Sequence, residues 1–246
     1  MADEVRLELD GAVAEIILNR PERKNAVTGP LAEAATAAVA QAEADPTVRV
    51  ILLRGEGGVF SSGLDLKEFN AEPRPEWLPR FQGLWRGLHE RLFACDKAVV
   101  CAMESYAINA GSALALSADY LIAGDTAFLQ VGEVRQGRPA PMNVAWLLAR
   151  HSDAVARRVM LLGRRIPGPE LLQLGIAHAV VPDADVLAAA RALAAELAEI
   201  SPEGIAGTKQ LLRTLNARDA GSWFETVATE AAKLRVASGP IPSLKG

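Results

Sequence analysis

Three short stretches of this chain carry residue types whose order suggests proton-transfer chemistry. They are Phe60-Ser-Ser-Gly-Leu-Asp-Leu66, Tyr106-Ala-Ile-Asn-Ala-Gly-Ser-Ala-Leu-Ala-Leu-Ser-Ala-Asp119, and Glu133 within Val131-Gly-Glu-Val134. The first closes the apolar run Val50-Ile-Leu-Leu53 with a glycine-bearing turn. The second follows Ala98-Val-Val-Cys-Ala-Met103 and opens a helix of small residues at Asn109 to Gly111. A backbone N–H at such a turn or helix start has no intrahelical partner and is pre-aimed at an anion. Two of them converging would hold an oxygen that gains negative charge, and a carboxylate facing them would move the proton. Taken singly, glycine and serine after a strand mean only a turn. The succession of the three segments is what points to chemistry.

The elements that must position these residues follow from periodicity. Val5 to Leu9 and Ala12 to Leu18 read as strands joined at Asp10-Gly11, a hairpin signal. Leu31 to Ala44 reads as an alanine-rich helix and Val48 to Leu53 as a buried strand. Asn70 to Pro79, with three prolines among charged residues, reads as a flexible flap rather than a domain linker. The spacing of Phe81, Leu84, Trp85, Leu88 and Leu92 predicts a helix over Trp77 to Phe93, with those residues on one side. Ala98 to Met103 is a strand, Ala110 to Ala118 a helix and Tyr120 to Ala123 a strand. From Asn143 onward the chain reads as mostly helical: Val144 to Arg150, Asp153 to Leu162, Pro169 to Leu174, Asp185 to Ile200, Pro202 to Leu215 and Ser222 to Val236. Ser201-Pro202 supplies a cap and a first-turn proline.

Composition narrows the function classes. A chain of 246 residues, 50% hydrophobic, with no apolar run near membrane-spanning length, can bury a substantial core as one soluble domain. No secretory signal is recognisable at its start, and the expected location is cytoplasmic. With 26 basic and 30 acidic residues, the net charge of −4 gives no global attraction for nucleic acid. Cys95 and Cys101 form no metal-ligand set and read as buried, reduced thiols. His151 and His178 lack metal-like partners, so no metal is expected. No phosphate loop or convincing dinucleotide fingerprint occurs, which argues against ATP or NAD chemistry.

The whole chain from Val5 to Leu211 resembles the crotonase family, the enoyl-CoA hydratases and isomerases. Val13-Ala-Glu-Ile-Ile-Leu-Asn-Arg-Pro-Glu-Arg-Lys-Asn-Ala-Val27 is similar to the family's opening strand and its N-R-P-x-x-x-N-A stretch. Asp45 to Gly55 is similar to the strand that follows, and Phe60 to Glu68 to the F-x-x-G-x-D-L segment. The pattern then runs without a gap from Tyr106 through Asp119 to Glu133. The resemblance implies an α/β fold of ββα units stacked as a spiral, followed by a C-terminal helical region. On that basis residues 1–200 form the spiral core with its covering helices. Residues 201–246 form a helical trimerisation region of the same structural unit. A homotrimer or homohexamer is implied, acting on an acyl-CoA whose CoA belongs to the substrate rather than being a separate cofactor.

The same resemblance assigns roles. The N–H groups of Leu64 and Ala110 would hold the thioester oxygen; losing such a donor typically costs about 10² to 10³ in rate. Ala110 stands where a glycine is common, and its N–H survives the change if the backbone angles suit alanine. Lys24, Asn25 and Ala26 would border the nucleotide and pantetheine, with Ser62, Gly63, Leu64 and Leu66 along the thioester path. Arg23 or Lys24 could meet a CoA phosphate. The chain departs from the two-glutamate pattern of hydratases: the first position is Ala113, and only the second, Glu133, is retained. General acid–base groups contribute about 10² to 10⁴ each, so the arrangement for activating water is incomplete. Moving a double bond from 3-enoyl-CoA to 2-enoyl-CoA needs a single base that takes a proton from C2 and returns it at C4. Isomerisation is therefore favoured. The alternatives are a divergent hydratase or other acyl-CoA lyase or hydrolase, and a noncatalytic acyl-CoA-binding paralogue. Glu104 is expected to cap or to pair, and otherwise to replace the missing carboxylate. Asp65 and Asp119 read as structural. His89 would approach an acyl chain or face solvent, and Arg138 could bring positive charge to the acyl pocket. Gly239 to Gly246 lacks the family's usual ending.

Overall fold

Every residue of Val50–Gly55 is buried, as befits a strand covered on both faces. In the computed structural model, which describes residues 4–215 and 220–234, this strand lies inside a six-stranded sheet. Its strands are, in spatial order, β1 (Val5–Asp10), β2 (Val13–Leu18), β3 (Val50–Gly55), β4 (Ala98–Met103), β6 (Tyr120–Gly124) and β9 (Ala179–Val181). A second sheet has the order β5 (Tyr106–Ile108), β7 (Phe128–Gln130), β8 (Arg165–Pro167). The β1–β2 hairpin is antiparallel and turns at Gly11, which has positive φ. From β2 outward the main sheet is parallel. In the small sheet, β5–β7 is parallel and β7–β8 antiparallel.

The helices are α1 (Gly29–Ala44), α2 (Leu66–Phe69), α3 (Phe81–Ala94), α4 (Ala110–Leu116), α5 (Pro141–Arg150), α6 (Asp153–Met160), α7 (Gly168–Gln173), α8 (Val186–Ala198), α9 (Pro202–Leu215) and α10 (Ala220–Lys233). Because successive strand residues face opposite sides, β3 serves two cores. Ile51 and Leu53 join the larger cluster with residues of α1, α3, α4 and α5. Val50 and Leu52, with Val100 and Ile122, meet Val186, Ala190, Ala194 and Leu197 of α8. Two charged devices tie the layers. Glu15 on β2, 3% exposed, takes hydrogen bonds from Arg54 on β3 and Arg191 on α8. Lys97 donates to the carbonyls of Ala42, Asp45 and Val48 at 2.7, 2.6 and 2.7 Å, engaging two carbonyls at the end of α1 and one in the loop that follows.

Several elements differ from the sequence expectation. The segment before α3 is anchored rather than free. Phe69 packs edge-on to Trp77 and Phe81, and Trp77 lies so close to Gly29 that a Cβ there would meet its ring at 2.8 Å. Pro79 falls in a 3-10 turn over Leu78–Arg80, so α3 starts at Phe81 rather than Trp77. Pro141 opens α5 three residues before Val144, in the first-turn position that tolerates a missing N–H. β5, β7, β8 and β9 are three residues each, too short to show a period. Cys95 and Cys101 are free and buried. Among the described residues no helix is long and apolar enough to cross a membrane, and no cluster of metal-ligating side chains occurs. The expectation about Gly239 to Gly246 lies outside the described residues.

Candidate active site

The first turn is built by side chains that engage its backbone and leave one N–H over. Asn25, fully buried, accepts from Arg20 N and donates to the carbonyls of Glu56 and Val59, stitching the exit of β3. Ser61 Oγ donates to Asn25 O at 2.8 Å and accepts from Gly63 N at 3.3 Å. Gly63 O accepts from Val27 N at 2.7 Å, and Asp65 N donates to Val27 O at 3.0 Å. Between them, the Leu64 N–H makes no hydrogen bond among the described residues.

The second turn is pressed against the first by glycine. Gly63 has φ +89°, and a Cβ on it would lie 2.7 Å from Ile108 O; one on Gly111 would lie 2.7 Å from Ser61 Cβ. Only hydrogen permits both approaches. Asn109 occupies the N-cap position of α4 at φ 51° and ψ −108°, without a side-chain capping bond to the helix. Its N–H donates to Gln130 O at 2.7 Å, and its Oδ1 accepts from Gly132 N at 2.8 Å. Ser112 Oγ reaches both Ala107 O and Gln130 O. The Ala110 N–H, next to the cap, makes no hydrogen bond among the described residues.

Asn109 thereby ties the start of α4 to the segment that carries the carboxylate. Glu133 begins a 3-10 turn directly after Gly132. Its Oε1 lies 3.5 Å from Asn143 Nδ2, and the same nitrogen donates to Asn109 O at 3.1 Å. Its Oε2 is buried without a hydrogen-bond partner among the described residues. Burial pushes the carboxyl up to about 7, and no charged neighbour contributes to that shift. Both protonation states are therefore populated near neutrality, as a proton shuttle requires. Ala113, three residues after Ala110 on α4, is fully buried and adds no polar side-chain group.

This arrangement of turns and carboxylate coincides with a match to the family model described as Enoyl-CoA hydratase/isomerase over residues 8–227. The chain belongs to that family. Within this enoyl-CoA hydratase/isomerase family it is 33% identical to the carnitinyl-CoA dehydratase of Salmonella arizonae over 218 residues, covering 87% of this chain and 82% of the relative. An enoyl-CoA hydratase structure from Mycobacterium tuberculosis H37Rv superimposes with TM-score 0.76 and 28% identity, covering 92% and 88% of the two chains. A chain from Thermobifida fusca YX, solved in complex with CoA, gives TM-score 0.79 at 32% identity over 94% and 92%. The mixed α/β architecture with its C-terminal helices is that of the crotonase superfamily, and the chain is an enzyme of the hydratase/isomerase family.

The other family-implied residues fall in three places. Lys24 is exposed at φ 52°, Ala26 is buried, and Ser62 and Leu66 are half-buried. Ser62 N donates to Lys24 O at 3.0 Å, so the two stretches lie side by side next to Gly63. Arg23 is engaged by Asp65, with bonds of 3.1 and 2.6 Å. Asp65, 2% exposed, caps α2; burial works to raise its carboxyl, but hydrogen bonds from Arg23 hold it below the usual range. Asp119 accepts from Val99 N, Arg150 and Lys209, the geometry of a structural residue.

Glu104 and His89 differ from expectation. Glu104 forms neither a cap nor an ion pair among the described residues. Burial raises its carboxyl, and the charges acting on it are Arg54, which lowers it, and Glu56, which raises it. His89 does not face solvent. It is fully buried, accepts a 2.8 Å bond from Trp146 Nε1 at Nδ1, and is pushed down by burial to about 3, so it stays neutral. A cavity of about 370 Å³ lined by Leu116, Asp119, Arg150, Lys209 and Leu212 contains none of Leu64, Ala110 or Glu133. Two site residues escaped the sequence reading as functional groups, Ser61 and Asn143. Ser61 lay inside a recognised segment, whereas Asn143 after Pro141 looked like an ordinary first helical turn.

Proposed function

We propose that this enzyme performs enolate chemistry on an acyl-CoA thioester, with Glu133 as the single proton shuttle and 3-enoyl/2-enoyl isomerisation as its favoured reaction. The observation that carries the reading is one enclosed carboxylate, poised near neutrality, tied through Asn109 to two turns whose Leu64 and Ala110 N–H groups remain unengaged. The thioester oxygen would accept from those two donors. Glu133 would take a proton from C2, the electron pair would spread onto the thioester oxygen and over the neighbouring double bond, and the proton would return at C4. Donors fixed before the reaction stabilise that charge without reorganising. Lys24, Ala26, Ser62, Gly63 and Leu66 would border the CoA moiety, a placement supported by the contact between their two stretches. Exposed Leu211 and Leu212 on α9 support assembly as a homotrimer or homohexamer.

Hydration or dehydration is the second reading, favoured by the names of the relatives and by the Asn143 side chain beside Glu133. Paired kinetics on 3-enoyl-CoA and 2-enoyl-CoA of several chain lengths test the proposal. Isomerisation exceeding hydration and lost in Glu133→Gln is the expected result. Turnover surviving in that variant would remove Glu133 from the mechanism.

A further inference from the structure

Asn143 sits in the first turn of α5 and is 2% exposed. Its Nδ2 faces two groups that can only accept, Asn109 O at 3.1 Å and the ionised Glu133 Oε1 at 3.5 Å. That fixes which way the amide points, with nitrogen toward these acceptors and Oδ1 away from them. Asn143 Oδ1 is buried with no hydrogen-bond partner among the described residues, and so is Glu133 Oε2. Buried acceptors left unmet are costly, and a pair on touching groups calls for an explanation. A donor with two O–H bonds would answer both, and water is such a donor.

We propose that Asn143 is the positioning residue for the oxygen that adds to or leaves C3, giving this site hydration and dehydration alongside isomerisation. The inference rests on the acyl-CoA reading of the site. A water would donate one O–H to Asn143 Oδ1 and the other to Glu133 Oε2. As its oxygen bonds to C3, its proton passes to Glu133, and the C2–C3 π pair moves onto the thioester oxygen. The enolate then collapses and takes that proton from Glu133 at C2, restoring the carboxylate. In the reverse direction a 3-hydroxyl donates to Asn143 Oδ1, which leaves Glu133 free to take the C2 proton. Glu133 then passes that proton to the departing oxygen, and water is released. The work that Ala113 cannot do thus falls to a neutral amide on a different helix.

The test uses the full-length protein with a 2-enoyl-CoA for hydration and a 3-enoyl-CoA for isomerisation. The wild type is expected to hydrate. Asn143→Ala should lower kcat for hydration about 10²-fold, the size of a lost fixed polar contact, and isomerisation only about 3-fold. Asn143→Gln, which keeps both the amide donor and the acceptor oxygen, should recover hydration to within about tenfold of wild type. Equal loss of both reactions in Asn143→Ala would reduce Asn143 to a structural prop and overturn the proposal. So would a glutamine variant no better than alanine, or a wild type that isomerises without hydrating. A wild type silent on both substrates, or both reactions surviving in Glu133→Gln, would instead bring down the acyl-CoA reading and this inference with it.

Discussion

At the scale of single residues, the burial of Glu133 decides when the site can work. A carboxyl raised from 4.5 to about 7 favours the neutral form in the folded protein. The stability this confers relative to an ionised group is fully present below the unfolded value near 4.5 and is lost as pH climbs through about 7. Glu133→Gln, which never ionises, should therefore unfold like wild type at pH 4.5 and be more stable by up to about 3 kcal/mol at pH 8. Thermal unfolding at the two pH values checks this. Catalysis runs the opposite way, because the base must be ionised to take the C2 proton. The kcat/KM profile should fall about tenfold per pH unit on the acid side of about 7. Steric contacts set the other limit. A Cβ on Gly111 would lie 2.7 Å from Ser61 Cβ and force the two turns apart. Gly111→Ala should lower kcat/KM by about 10²-fold, the cost of a misplacement near 1 Å, as steady-state kinetics would read directly. The glycines and Glu133 were legible because each lies in a contiguous, recognisable stretch. Asn143 was not, since its role arises only where α5 docks beside Glu133, and no local spacing encodes that contact.

At the scale of elements, the position of α5 depends on aromatic packing contributed by helices distant in sequence. Phe224 of α10 is fully buried, with ring centroids 5.1 Å from Trp146 on α5 and 5.5 Å from Phe93 on α3. Trp146 in turn donates to His89 on α3. Asn143 lies one turn before Trp146 on the same helix, so packing at the α3–α5–α10 junction bears on the carboxylate. Phe224→Ala should cost about 3–5 kcal/mol in chemical denaturation, as large-to-small core changes of this kind do. It should also reduce activity beyond the unfolded fraction, because α5 loses one wall of its seat. The long elements here were readable from sequence: α3 shows its apolar side, β4 is an unbroken apolar run, and β3 opens on one at Val50 to Leu53. The short strands of the second sheet were not. β5 and β7 are held by hydrogen bonds to each other and by Asn109 and Ser112 reaching Gln130, which are long-range contacts with no periodic trace. That small sheet nevertheless sets the second turn beside Glu133, because β5 leads into the turn, β7 leads into Glu133, and the two strands pair. The least legible element is the one that sets the distance between donors and base.

At the scale of the whole molecule, the surface carries apolar residues that its own core does not use. Leu211 and Leu212 on α9 are 61% and 59% exposed, and Leu161 and Leu162 after α6 are each 62% exposed. Scattered apolar residues need no explanation, but adjacent large ones, two to a site, mark surface suited to another protein. Further copies of the same chain are the partner proposed for that surface. Sedimentation is expected to give three or six times the 26.1 kDa of the single chain. Substituting Leu211→Glu together with Leu212→Glu places two charges where a dry contact would form, and burying an unpaired charge is strongly unfavourable. The double variant should move toward the single-chain mass while keeping its far-ultraviolet circular dichroism, because neither side chain belongs to the core. A wild type that sediments as one chain would instead make these leucines ordinary surface residues. If assembly is lost in the variant, its kinetics separate two roles for the contact. Loss of CoA affinity at unchanged kcat would mean that a neighbour completes the nucleotide end of the site. Unchanged affinity would confine that end to Lys24, Ala26 and Ser62 of the chain itself.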